Sequence, residues 1–134
     1  MAPSAENFTA YATKPFSRLA RKARIDDEQL WLAATDANEG RIDADLGGGV
    51  VKQRIARTGQ GKSGGSRSIL LLRRGRRAVF VYGFEKKDQA NIAPGDLELF
   101  RELAPIYLDA SEAQMIRWME TGAVRRIQGS YQQE

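Results

Sequence analysis

Two strongly apolar segments lie one short turn apart in the middle of this 134-residue chain, and they limit its fold more than any other feature. Ser68–Leu72 contains Ile-Leu-Leu-Leu, the pattern of a strand buried on both faces. Ala78–Phe84 (Ala-Val-Phe-Val-Tyr-Gly-Phe) is rich in β-branched and aromatic residues and is the clearest strand in the sequence. The basic turn Arg73–Arg77, centred on Gly75, joins them. Val50–Arg57 reads as a third strand, with Gly47-Gly48-Gly49 as a flexible entry. Thr58–Gly65, with four glycines, is the connecting loop. Consecutive strands joined this way predict an antiparallel meander.

Helical signals flank the meander. Phe8–Thr13 alternates aromatic with small residues, as a short strand does. Phe16–Arg24 suits a short basic helix with Phe16, Leu19, Ala20 and Ala23 on one face. Asp26 reads as the N-cap of a second helix, with Leu30, Trp31, Ala34 and Ala37 as its apolar stripe and Gly40 as its stop. Pro94–Leu108 is predicted as a third helix, kinked or split at Pro105. Ser111 and Gln114 form a capping-box pattern for a fourth helix, Ser111–Thr121, stopped by Gly122. Val124–Ile127 reads as a last short strand. The expected class is α+β: a small antiparallel β-sheet meander with N-terminal and C-terminal helices packed on one side of it. The chain is one domain over 1–134, with 1–7 and 129–134 as flexible ends.

Composition narrows the chemistry. The chain has no His and no Cys. That excludes a Ser-His-Asp triad, a thiol nucleophile, a disulfide and the usual zinc sites. Catalysis would fall to Lys, Arg, Tyr, Ser or carboxylates, with no metal and no cofactor expected. No apolar run approaches the ~20 residues of a membrane helix, and Met1–Asn7 lacks a signal pattern, so the expected location is cytoplasmic.

The formal charge of +4 is unevenly spread. From Lys52 to Lys87 there are eleven basic residues and one acid, Glu85, a net +10 against −6 for the rest. A basic middle in an acidic frame predicts a polyanion-binding surface. Gly59-Gln60-Gly61-Lys62-Ser63 imitates the end of a P-loop, but Ala56 stands where its first Gly belongs and a β segment follows instead of a helix. The loop can still offer backbone N–H groups and Lys62 to a phosphate.

Alternation along a strand puts Lys52 and Arg54 on one face and Val51 and Ile55 on the other. Arg67 opens the next strand, and Lys86 and Lys87 follow Phe84. In a meander these can converge on one cationic patch, with Arg57, Lys62 and Arg73 as further phosphate contacts. Arg binds phosphate oxygens bidentately and stabilises charge growing at the transition state. A lysine crowded by cations is pushed toward its neutral form and can accept a proton from a ribose 2′-OH.

Lys52-Gln-Arg-Ile-Ala-Arg-Thr-Gly-Gln-Gly-Lys-Ser-Gly-Gly-Ser-Arg67, with Val81-Tyr-Gly-Phe-Glu-Lys-Lys87 and Asn91-Ile92, closely resembles the RelE/ParE superfamily of bacterial toxins. The likeness is to its HigB-like RelE branch, which Gly40-Arg-Ile-Asp-Ala-Asp-Leu-Gly-Gly-Gly49 also resembles. The resemblance covers roughly residues 8–127. It implies a type II toxin–antitoxin toxin that inhibits translation by cleaving mRNA in the ribosomal A site through the mRNA's own 2′-OH, without a metal. It implies catalytic roles for Lys52, Arg54, Arg67 and Lys86, and a cognate antitoxin, often a small helix-turn-helix protein, as partner. Two departures stand out: Asp88–Ile92 has no Tyr, and Ser66 stands where the branch often has an aromatic residue. Two other functions fit the same residues: a ParE-type toxin that inhibits DNA gyrase without cutting RNA, and a basic RNA- or ribosome-binding module without cleavage.

Overall fold

A computed structural model of the chain describes residues 7–56, 66–85 and 92–129. Its order is β1 (Thr9–Thr13), α1 (Lys14–Lys22), α2 (Asp27–Asn38), β2 (Ala44–Gly47), β3 (Val50–Ile55), β4 (Ser66–Arg73), β5 (Arg77–Glu85), α3 (Pro94–Leu108), α4 (Glu112–Thr121) and β6 (Val124–Arg126). The six strands form one mixed sheet in the order β2-β3-β4-β5-β1-β6. β3 to β5 are the predicted antiparallel meander, and β2, which was not among the expected strands, extends it antiparallel to β3. β1 enters parallel to β5, and β6 closes antiparallel on β1.

The sheet is covered on both faces, not one. Val51, Ile55, Leu70, Ala78 and Phe80 pack with Phe16 and Ala20 of α1 and with Leu30, Ala33, Ala34 and Ala37 of α2. Val50, Ile69, Leu71, Val79 and Tyr11 pack with Phe100, Ala104 and Leu108 of α3 and Met115 of α4. The cause is the continuous apolar run of β4. Leu70 and Leu71 are both fully buried, and successive strand side chains point to opposite faces, so each face needs its own helical layer.

The helix ends follow the sequence signals. Asp26 caps α2 in a complete capping box with Gln29, each side chain accepting from the other residue's N–H at 3.0 Å. Ser111 caps α4, its hydroxyl accepting from Gln114 N at 3.0 Å. The reciprocal half of that box does not form, because Gln114 Oε1 accepts from Arg117. Gly122 ends α4 in the left-handed region at φ 85°, which a side chain resists.

Three expectations change. Pro105 does not split α3, which runs on to Leu108, because buried Ala104 and Leu108 pin the helix to the sheet on either side of it. Gly47–Gly49 is no flexible entry but a tight turn at positive φ that joins β2 to β3. Gly129, expected in a loose tail, lies so close to Trp31 that a Cβ there would stand 2.4 Å from the ring. Residues 130–134 lie outside the described residues.

Candidate functional site

Strand register brings three of the predicted site residues together. On β3, Val50, Lys52 and Arg54 share the face that packs beneath α3. Across to β4, Arg54 stands directly opposite Arg67, and Lys52 opposite Ile69. One strand further, Arg67 faces Phe84 and Ile69 faces Tyr82. Two cross-strand rows result: Lys52, Ile69, Tyr82, and Arg54, Arg67, Phe84. Arg67 is therefore the cation placed directly beside an aromatic residue, and Tyr82 lies 6.0 Å from both Phe84 and Phe100 by ring centroid.

Lys52 and Arg54 are half-buried, whereas Arg67 keeps only 8% of its surface. Like charges directly opposite on adjacent strands repel, at about 0.2–1 kcal/mol per pair. Asp43 offsets this: its Oδ2 lies 3.2 Å from Arg67 Nε. Arg67 is thus held by an ion pair at the floor of the site rather than presented to solvent. Among the described residues no acceptor reaches Arg67 Nη1. Ile55, Ser66 and Glu85 lie side by side where β3 ends, β4 begins and β5 ends. Ser66 Oγ donates to Glu85 Oε2 at 2.6 Å there.

Asp43 carried no prediction. The signal was present: Ile42, Ala44 and Leu46 alternate with Arg41, Asp43 and Asp45, the period of a half-buried strand, and exposure follows it residue by residue. Arg73 does not join the cluster. It sits at the far end of β4, ~20 Å from Arg67 along the strand, and pairs with Asp109 at the end of α3. Arg57, Lys62, Lys86 and Lys87 lie outside the described residues, as does the P-loop-like sequence. The chain resumes at Ser66 as a strand, so no helix follows that sequence to hold a nucleotide phosphate.

No helix among the described residues is long and apolar enough to cross a membrane. No curated protein matches the chain. The family model described as the RelE toxin of the RelE/RelB toxin–antitoxin system matches residues 9–127, from the first strand through the last. With that match over most of its length, on an α+β sheet that sets Lys52, Arg54 and Arg67 side by side, the chain belongs to the RelE toxin family.

Proposed function

We propose that this toxin, of the HigB-like branch, is a ribosome-dependent endoribonuclease acting on mRNA in the A site. The observation that carries the reading is the register of Arg54 against Arg67, with Lys52 two residues along the same face. An anion entering between these cations relieves their mutual repulsion, and an RNA phosphate is such an anion. The reaction is transesterification. The ribose 2′-oxygen attacks the adjacent phosphorus and its proton passes to a base. The bond to the 5′-oxygen breaks, that oxygen takes up a proton, and a 2′,3′-cyclic phosphate and a 5′-hydroxyl remain. Arg54 would stabilise charge on the phosphate oxygens, Lys52 would take part in proton transfer, and Arg67 would hold the geometry through Asp43. Lys86 would complete the set, and Arg57, Lys62 and Lys87 would contact neighbouring phosphates. Tyr82, half-buried on the same face, adds some aromatic surface near the cations, whereas Phe84 is part of the core.

The antitoxin would be a small helix-turn-helix protein, and the site of action the cytoplasm. The test is 5′-end mapping of mRNA after induction without antitoxin. Wild type should produce new ends within translated codons. Lys52→Ala with Arg54→Ala should remove them and the growth arrest while leaving the circular dichroism spectrum unchanged. Intact mRNA accompanied by DNA damage would move the target to gyrase. An equally toxic double variant would move the site elsewhere.

A further inference from the structure

A pocket of about 350 Å³ adjoins the cations of the site on the α2 side of the sheet. One wall is α2, with Leu32, Ala33 and Asp36; the others are the segment 41–43 that leads into β2 and the end of β3. Arg54 lines the pocket, and so does Asp43, the partner of Arg67, so pocket and site share a wall. β2 pairs with β3 only as far as Lys52. The edge of the sheet is therefore open beside Arg54, and a ligand there can reach both faces.

Hydrogen bonds fix the walls. Gln53 is buried, and its Nε2 donates to Ala33 O and Arg41 O, both at 2.9 Å, tying α2 to the 41–43 segment. Arg41 N donates to Asp36 O at 2.9 Å. Arg41 Nη2 donates to Asp36 Oδ1 at 2.7 Å and lies 2.8 Å from Glu39 Oε1. Two carboxylates thus hold the Arg41 guanidinium in place, and such planes stack on unpaired bases. Leu32, 56% exposed, gives the pocket an apolar side with Ala33 and Ile42. Asp36 and Asp43 balance Arg41 and Arg54, so the pocket is neutral where the site beside it is cationic.

A neutral, partly apolar pocket against a phosphate site suits a base whose own phosphate lies at Arg54. Its volume is at the small end of the ~300–1,000 Å³ of ligand pockets, room for one heterocycle and its sugar. The polar group left for that base is an acceptor. Arg41 engages Asp36 Oδ1, and no donor among the described residues reaches Asp36 Oδ2. An ionised carboxylate only accepts, with two oxygens side by side. Guanine presents two adjacent donors, N1–H and N2–H, on its pairing edge. Adenine and cytosine present one amino group there, and uracil one N–H. We infer that this pocket seats one guanine flanking the scissile phosphate, read by Asp36 between Arg41 and Leu32, and so biases where the toxin cuts. The inference rests on the endonuclease proposal and gives that same site a base preference.

The test compares the full chain with Asp36→Asn and Asp36→Glu in two assays. The first titrates the free toxin with guanosine 3′-monophosphate and with uridine 3′-monophosphate, followed by NMR. Wild type should bind the guanosine nucleotide at least about fivefold more tightly, the lower end of what a bidentate base contact gives. Asp36→Asn puts an amide donor against guanine N2–H, and the ratio should fall to within about twofold. Asp36→Glu keeps the carboxylate and should still prefer guanosine. The second assay maps cuts on ribosomes carrying mRNAs that vary one base at a time around the cleaved bond. Wild type should favour guanine over uracil at one flanking position by at least about fivefold, and Asp36→Asn should lose that preference. Both readouts are ratios, so a general loss of folded protein does not imitate them. The inference is overturned if wild type binds the two nucleotides alike or binds neither, or cuts without favouring guanine. It is also overturned if Asp36→Asn keeps the wild-type ratios; loss of its antitoxin alongside would make the pocket a protein-docking site. Uncut mRNA from a toxin that still prefers the guanosine nucleotide would instead overturn the endonuclease reading alone.

Discussion

Arg77 is fully buried, and its guanidinium closes the end of α3. Its Nη1 donates to the carbonyls of Tyr107 at 2.8 Å and Ala110 at 2.9 Å, and its Nη2 reaches Glu112 Oε2 at 3.0 Å. The group also lies 5.8 Å from the centre of the Tyr11 ring, within cation–π range. Helix-end carbonyls buried without donors are costly, and this one side chain supplies what the backbone cannot. Arg77→Leu should therefore cost about 3 kcal/mol, roughly 10 °C in melting temperature, because it strands those carbonyls while keeping most of the volume. Urea unfolding of Arg77→Leu beside Arg54→Ala separates the two kinds of arginine. Arg54→Ala should move the midpoint far less, and an equal loss would mean that Arg54 is a strut rather than a ligand-facing group.

The same division extends to the β4–β5 turn as an element. Its arginines fasten the sheet to both helical layers. Arg73 pairs with Asp109, and Arg76 donates to Ala110 O at 3.3 Å, both at the α3 end. On the other face, Arg74 Nε donates to Asn38 O at 2.9 Å, and Gly75 N to Asn38 Oδ1 at 2.7 Å, at the end of α2. Asn38→Ala should cost about 1–3 kcal/mol, since the Gly75 N–H loses its acceptor beside a buried side chain; thermal melting checks it, and an unchanged melting point would show that the turn holds without that contact. From sequence, the turn read as part of one long cationic surface, because charge counts cannot tell a helix clamp from a ligand contact. The strands on either side were legible from β-branched and aromatic runs, and the caps Asp26, Ser111 and Gly122 from local chemistry. β2 was missed because Ala-Asp-Leu-Gly carries little β-propensity, although the alternation through 41–46 did mark a half-buried strand. The second helical layer was implied by the continuous apolar run of β4, whereas the parallel entry of β1 depends on pairing distant in sequence, which periodicity does not report. The site was legible as far as Lys52, Arg54 and Arg67 sharing a patch. What Asp43 does to Arg67 was not, because that pair forms only once β2 is in place.

In the whole molecule, the ends of the chain close the sheet. β1 is buried along most of its length and lies between β5 and β6, so β6 is all that keeps it from being an edge. Small as it is, β6 is firmly tied down. Val124 and the adjoining Ile127 are 2% and 1% exposed. Ile127 N donates to Ala10 O at 2.9 Å, and Asp27 of α2 accepts from both Arg125 Nη1 and Gln128 N. The strand therefore joins the α2 layer to the sheet. Burying two such side chains contributes about 1.5–3 kcal/mol each, a large part of the 5–15 kcal/mol by which a domain of this size is stable. A chain ended at Ala123 would lose that burial and leave the row of backbone groups along β1 unpaired, a template for strand-to-strand association. It should accumulate as insoluble protein even when expressed with its antitoxin. Ile127→Ala, which keeps the strand and removes only part of the burial, should stay soluble and lose about 2–4 kcal/mol in urea unfolding. A soluble, cooperatively melting truncation would show that β1 tolerates an open edge and that the fold does not depend on its last strand.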